Sequence, residues 1–439
     1  MKREGTGKIP LRVGAFILIF CILFLGLEKF CFDDRSLWPT WKTLQSKEGE
    51  KPDILILGNS NAYTTLNALY LSEAFEKNVQ ILASDSQIMP ITLENYKVVS
   101  KYQNPKIIIL EMTSIIFNTR DSLRNEQKGS AMVNFDGISN YWDKLRAVSS
   151  FFKPQDILES MFQLLRPSSS WSRFPYGLRK MKNERKQHNP YENLNMNGYM
   201  GKNTISHFEY SKYENIDEVL NSYLLEDADY FIPEYNEKAL ASFLELAENN
   251  GTEIWLFKSP NFRLRRKEIE RIEELVAYSP AVSYVDDMTI DFKKIGLTEE
   301  DYYDVGHLNR RGAAKVTRYY ADLIEERLGW EQKSGVFAYQ DEQAEKLEDG
   351  RWKYTVYNED PNTLYRFCLY HRETNTLADI QDFSNKNDYI FEEDILESNK
   401  YRLEVTMLPE DADYKETAVI AERGMRISFM VYNDSVIKL

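Results

Sequence analysis

The chain has 439 residues, 43% hydrophobic and 28% charged, the balance of a folded globular protein with room for two domains or for one domain with large insertions. Its net charge of −14 argues against nucleic acid, because phosphate binding needs a basic face. The three cysteines, at positions 21, 31 and 368, form neither a disulfide framework nor a metal-ligand spacing. No Walker loop, GxGxxG, HExxH or paired-histidine motif occurs, so no cofactor and no metal are expected. The 28 tyrosines suit sugar-stacking surfaces and ordinary cores alike.

The first 35 residues predict a membrane anchor. Val13–Leu27 carries no charge, and extension from Ile9 to Phe32 reaches the roughly 30 Å of a bilayer core if Arg12 and Lys29 snorkel to the interfaces. Lys2, Arg3, Lys8 and Arg12 precede the apolar run, and Asp33 and Asp34 follow it. The positive-inside rule then leaves the N-terminus in the cytoplasm and the bulk of the chain outside. The following "GLEKFCF" offers no small-x-small cleavage site, and Phe20 before Cys21 makes a poor lipobox, so an uncleaved anchor is expected over a signal peptide.

From Asp53 short apolar runs alternate with amphipathic stretches. "DILILGNS", Val79–Ser84 and Lys106–Met112 read as strands buried on both faces, with "TLNALYLSEAFEKN" and "ITLENYKVVSKYQ" as helices between them. This is the rhythm of a parallel α/β sheet. It breaks over about 118–233, which reads as a helical and loop insertion containing the polar stretch 178–203. The rhythm returns with a helix ending at Gly251, a fourth strand in "TEIWLFKSP", a fifth at Ser283–Met288 and a closing helix ending at Gly329. Residues 336–439 change style. "RWKYTVYNE", "LYRFCLYHRE", "YRLEVTML" and "MRISFMVY" alternate with period two, which predicts a small all-β sandwich.

Ligands of parallel sheets sit beyond the carboxyl ends of the strands, and Ser60 falls there, between the first strand and its helix. Such a serine can act as a helix cap or, beside exposed helix N–H groups, as a nucleophile. Asp304 and His307 stand three apart just before the last helix, in a chain with only four histidines. That turn offers a base and the acceptor that fixes its tautomer, although a polar helix start with a surface histidine has the same appearance. Lys258, at the end of the fourth strand, reads either as an exposed lysine or as a group facing the site.

"GNSNA" after the first strand and "DVGHLNRRGA" before the last helix resemble the SGNH/GDSL hydrolase superfamily, over roughly residues 50–328. "ILILGNSNA", "KIIILEM", "NMNGYM", "WLFKSP" and "HLNRRGA" look like its membrane-anchored bacterial branch. That branch is associated with membrane-bound O-acyltransferases and is distantly similar to alginate acetyltransferase and teichoic acid D-alanyl-transfer proteins. The resemblance implies a flavodoxin-like three-layer α/β/α fold, with Ser60 as nucleophile, His307 as base and Asp304 as its orienting partner. It places Ser86, Asn61 and Asn309 in the oxyanion and substrate-binding group, with the Ser60 backbone N–H as a further donor. Two departures stand out. Ser86 occupies the place of the family's second-block glycine, and "ILEMTS" lacks the third-block asparagine, which leaves Glu111, Thr113 or Asn61 to fill the gap. The Gly-x-Ser-x-Gly elbow of α/β-hydrolases is absent, because Ala62 replaces its second glycine.

The expected function is therefore extracytoplasmic acyl transfer or ester hydrolysis on O-acyl groups of a cell-surface polysaccharide. The expected partners are that polysaccharide, its acyl donor and a multi-span membrane O-acyltransferase. The competing expectations are a non-catalytic glycan-binding or assembly protein that kept the fold, and a cytosolic esterase.

Overall fold

The structure is a computed structural model that describes residues 8–31, 38–46, 51–116, 128–166, 232–260, 266–286, 295–297, 301–304, 306–332, 339–358, 362–371, 376–391, 401–410 and 425–430. Five parallel strands form its central sheet: β1 (Ile54–Gly58), β2 (Val79–Ala83), β3 (Ile107–Glu111), β4 (Glu253–Phe257) and β5 (Val282–Val285), in the order β2-β1-β3-β4-β5. The β-branched and leucine-rich runs are buried because both faces of the sheet are covered. Leu55, Leu57, Ile108, Leu110 and Leu256 enter one core, while Ile54, Ile56, Ile107, Ile109, Trp255 and Phe257 enter the other. Each such side chain removed from water contributes roughly 1.5–3 kcal/mol.

The first core is closed by α2 (Trp38–Leu44), α5 (Met89–Val99), α10 (Glu234–Asn250) and α11 (Arg266–Val276), through residues such as Trp41, Tyr96, Phe243 and Ile272. The second is closed by α3 (Ser60–Thr65), α4 (Ala68–Phe75) and α12 (Arg310–Leu328), through Ala62, Leu71 and Tyr320. The helix expected over 65–78 is α4, shorter at both ends, and a further short helix, α3, precedes it. Leu66 is extended (φ −102°, ψ 124°), and Asn67 starts a new helix by accepting the Tyr70 N–H at 3.1 Å. The Asn67 N–H donates to Thr317 Oγ1 of α12 at 2.9 Å, so tertiary contact overrides a continuous helical propensity.

The rhythm breaks after β3 as expected. Here α6 (Thr113–Ile116), α7 (Lys128–Asn134), α8 (Tyr141–Phe151), a 3₁₀ turn (Pro154–Asp156), α9 (Ile157–Met161) and a second 3₁₀ turn (Gln163–Leu165) follow one another. The polar stretch 178–203 lies outside the described residues. Beyond α12, two antiparallel sheets share one core. The first contains β11 (Leu377–Ser384), β10 (Thr363–His371), β13 (Tyr401–Pro409) and β14 (Met425–Met430) in that order; the second contains β12 (Asp388–Phe391), β9 (Trp352–Asn358) and β8 (Tyr339–Lys346). Phe367, Leu403, Val405 and Met407 of one sheet meet Tyr354, Val356 and Phe391 of the other, which is the alternation read from the sequence. Tyr70 of α4 and Ala314 of α12 pack against this core and join the two parts of the molecule.

At the N-terminus α1 spans Lys8–Cys31. Its side chains are described from Val13 to Glu28, about 24 Å of helix at 1.5 Å per residue. Among the described residues no helix is long and apolar enough to cross a membrane.

Candidate active site

β1 delivers the chain to the carboxyl edge of the sheet, where it must turn sharply beneath a neighbouring strand. A Cβ on Gly58 would lie 2.6 Å from the Glu111 Cβ of β3, so only glycine lets β1 approach this closely. Asn59 then caps α3, its side chain accepting the Asn61 N–H at 2.9 Å. The cap is thus the asparagine and not the serine. Ser60, the first helical residue, keeps its hydroxyl for another partner, and that partner is His307, with Oγ and Nε2 2.7 Å apart across 247 positions of sequence.

His307 is set by a short hairpin. β6 (Tyr302–Asp304) pairs antiparallel with β7 (His307–Leu308), which puts Asp304 opposite His307. Both Asp304 carboxylate oxygens lie 2.8 Å from Nδ1, and the Gly306 N–H donates to Oδ1 at 2.7 Å. A carboxylate only accepts, so Nδ1 carries the proton and Nε2 is the free acceptor facing the Ser60 hydroxyl. The imidazole side chain is 17% exposed, open enough for a reactant to reach Ser60.

The remaining residues singled out from sequence fall into two groups. Ser86 stands at the turn after β2, next to β1 in the sheet, and holds φ at +55°. This left-handed conformation favours glycine and carries a local strain at a serine. Its neighbour Asp85 accepts a hydrogen bond from the Tyr63 hydroxyl, which ties the turn to α3. Burial first, then the Asp85 carboxylate and the charge of Asp304, hold the Tyr63 phenol protonated well above its usual range. Asn61 and Asn309, by contrast, are both buried and engaged inside the protein. Asn61 donates to Thr113 Oγ1 at 2.9 Å, while Asn309 caps α12 by accepting the Gly312 N–H at 3.1 Å. Gly312 must be glycine because a Cβ there would lie 2.3 Å from the Asp301 carbonyl oxygen.

At the end of β3 a hydrogen-bond network centres on Thr113. The Thr113 hydroxyl accepts from Asn59 Nδ2 at 2.8 Å and from Asn61 Nδ2 at 2.9 Å, and it donates to the Glu111 carboxyl. One donor and two acceptors exhaust a hydroxyl. The residues on either side of Ser60 are therefore tied to the end of β3. Glu111 is fully buried, and that burial pushes its carboxyl up to about 7, against the lowering effect of the Thr113 bonds and of Lys258. Lys258, just after β4, is 7% exposed and not a surface lysine. Burial pulls its ammonium down to about 7, while Glu111, Asp286 and Glu268 oppose the shift. Its own N–H donates to Asp286 Oδ2 at 2.8 Å, and the Tyr320 hydroxyl donates to the same carboxylate. The legible signal was a glutamate and a lysine at the ends of strands otherwise apolar. Among the described residues, no three histidine, cysteine or carboxylate side chains converge as metal ligands.

No family model matches the chain, and no curated protein matches it. One solved structure, of a gut microbial diltiazem-metabolizing enzyme, aligns with a TM-score of 0.21 and 10% identity over 77% of this chain and 72% of that one. A likeness of that size bears on neither fold nor chemistry.

Proposed function

We propose that the protein is a membrane-anchored serine acyltransferase or esterase of the SGNH type, acting outside the cytoplasm on O-acyl groups of a cell-surface glycan. One observation carries the reading: Ser60 Oγ, His307 and Asp304 stand in hydrogen-bonded series at 2.7 and 2.8 Å, at the carboxyl edge of a parallel sheet. The strand order β2-β1-β3-β4-β5 supports a flavodoxin-like layering, whose ligands sit at that edge.

In this reading Ser60 Oγ attacks an acyl carbonyl while His307 Nε2 takes the hydroxyl proton, and Asp304 stabilises the imidazolium that forms. The backbone N–H groups of Ser60 and Ser86 receive the oxyanion, each donor of this kind being worth about a hundredfold to a thousandfold in rate. The imidazolium gives its proton to the departing alcohol, which leaves the acyl group on Ser60. His307 then deprotonates a sugar hydroxyl, which takes the acyl group and restores Ser60; with water in its place the same cycle is hydrolysis. No described helix is long and apolar enough to cross a membrane, so the anchor reading rests on the exposed apolar surface of α1. Phe16, Ile17, Leu18, Ile19, Phe20, Ile22 and Leu23 are all more than half exposed and point to every side of the helix, a pattern that suits lipid.

Acyl-ester turnover and fluorophosphonate labelling of the purified chain, wild type against Ser60→Ala, test the chemistry. The variant is expected to lose at least about a thousandfold in turnover and all labelling. Equal turnover in both would overturn the nucleophile assignment. A non-catalytic glycan-binding protein is the second reading, favoured by the engagement of the Asn61 side-chain amide with Thr113 rather than with the space above Ser60. Folded wild-type protein that takes no label would decide for it.

A further inference from the structure

We infer that the outer surface of the insertion is a membrane seat: Tyr141 and Trp142 of α8, Leu158 of α9 and Leu165 rest in the headgroup region of the bilayer that α1 enters. This rests on the anchored reading above and adds to it an orientation for the catalytic rim.

Four large apolar side chains within 25 residues stand open to solvent: Trp142 at 77%, Leu158 at 63%, Tyr141 at 52% and Leu165 at 42%. Clusters of this kind mark a contact surface, whereas single exposed apolar residues need no explanation. The cluster is continuous with α1. The Phe162 ring meets Phe24 of α1 edge-on at 5.2 Å and Tyr141 at 6.2 Å. Glu28, near the end of α1, accepts the backbone N–H groups of Gln163 and Leu164, both at 2.8 Å. Whatever apolar medium surrounds the outward side chains of α1 therefore reaches the level of Tyr141 and Trp142. Tryptophan and tyrosine, apolar rings with one polar tip, are the residues that settle at such a boundary.

The position of the seat sets the direction of the site. Asp143, next to Trp142, accepts from Lys101 Nζ and from the Tyr102 hydroxyl, and those residues follow the end of α5, where the chain returns to the amino ends of the strands. Ser60 lies at the carboxyl ends. The seat lies toward the amino ends of the strands and the rim at their carboxyl ends, offset along the strands by roughly the length of a five-residue strand, about 17 Å. The acyl group and its acceptor are met in the aqueous envelope above the bilayer. This fits a hydrated polymer or a carrier that projects from the membrane, and does not fit a chain buried among lipid tails.

The test uses the full chain in phosphatidylcholine/phosphatidylglycerol vesicles whose acyl chains carry bromine either near the headgroup or near the bilayer centre. Flotation reports the anchor; tryptophan quenching reports the seat. The wild type is expected to float and to be quenched more strongly by the shallow bromines, and Trp142→Phe to lose most of that difference while still floating. Leu158→Asp is expected to float yet show weaker shallow quenching than the wild type, with fluorophosphonate labelling of Ser60 unchanged in both variants. Flotation with quenching unaltered by either substitution would overturn the seat and leave the anchor standing. Failure of the wild type to float would overturn both, and labelling of Ser60 would still report the catalytic reading separately.

Discussion

The molecule buries charge in two places, and the two are built differently. Beside α1, Glu28 and Asp136 meet Lys144 and Arg166, two anions for two cations, and the Arg166 guanidinium grips Asp136 through both nitrogens at 2.7 and 2.6 Å. At the carboxyl edge of the sheet, Glu111, Glu268 and Asp286 surround Lys258, three carboxyls for one ammonium. The balanced cluster acts as a latch: Glu28 of α1 accepts the Gln163 and Leu164 N–H groups beside it, while burial pulls the Lys144 ammonium down against the pull of Asp136 and Glu28. The unbalanced one cannot stay fully ionised, because uncompensated buried charge is costlier than a retained proton. The proton stays where Glu111 sits, directly behind the turn that carries Ser60.

The comparison is broken most directly by removing one cation from each cluster. Lys258→Met leaves the carboxyls facing one another, and unfolding in urea is expected to show a loss of about 3–5 kcal/mol. Arg166→Met leaves Asp136 with Lys144 at 3.5 Å, so its loss should be smaller, about 2–3 kcal/mol. Adding Glu111→Gln to Lys258→Met removes one of the stranded carboxyls and should restore at least about 1 kcal/mol relative to additivity. If Arg166→Met proves the more damaging of the two, the distinction between latch and proton store fails.

pH sharpens the same contrast. Glu111 is pushed from 4.5 to about 7 by burial, so between those values the native state holds a proton that the unfolded chain has released. Raising the pH strips that proton at the expense of the native state, and stability falls across this window by an amount of order 3 kcal/mol. Lys258, pulled from 10.5 to about 7, acts in the opposite sense: from about 7 to 10.5 the native state holds fewer protons than the unfolded chain, so stability rises with pH. Urea midpoints at pH 5 and pH 7 should therefore drop in the wild type and lose most of that drop in Glu111→Gln. A wild-type profile flat over this range would show that Glu111 titrates as an ordinary carboxyl.

Thr113 links the proton store to the turn that carries Ser60. Thr113→Val keeps the shape and removes the hydroxyl that Asn59 and Asn61 donate to. The expected cost is about 1–2 kcal/mol in stability, with a fall of roughly tenfold to a hundredfold in kcat at nearly constant KM. Thr113→Ser should recover most of both. A stability loss without any change in kcat would make the network a plain structural tie.

The sequence disclosed what is local and strongly typed. Ser60, Asp304 and His307 were legible because a serine after a buried strand and an Asp-x-x-His turn each carry their chemistry within a few residues. The parallel sheet was legible from runs such as Ile107–Leu110, apolar without alternation. What escaped depends on distance. Asp136, Lys144, Arg166 and Glu28 look like ordinary surface charges until the fold gathers them. The break at Leu66 is imposed by Thr317, 250 positions beyond Asn67. The side chains of Asn61 and Asn309 were grouped with the oxyanion from their place in motifs, but motif position does not say which way a side chain turns.

Asn309 shows that last point with the smallest of the expected effects. It follows His307 by two residues, yet its side chain accepts the Gly312 N–H and its own N–H donates to the Asp301 carbonyl at 3.0 Å. These bonds seat the start of α12, and a longer one from Asn309 Nδ2 to the Tyr302 carbonyl, at 3.5 Å, ties it to β6. Asn309→Ala should therefore act as the loss of a helix cap, about 1 kcal/mol or a few degrees in Tm, while Asn309→Ser, which caps nearly as well, should recover most of that stability. Turnover of an acyl ester should stay within about twofold of wild type in Asn309→Ser, because the pairing of Asp304 with His307 does not run through the Asn309 side chain. A drop in kcat of the size expected for an oxyanion donor, at unchanged Tm, would mean that the Asn309 amide turns toward the reacting carbonyl once substrate is bound.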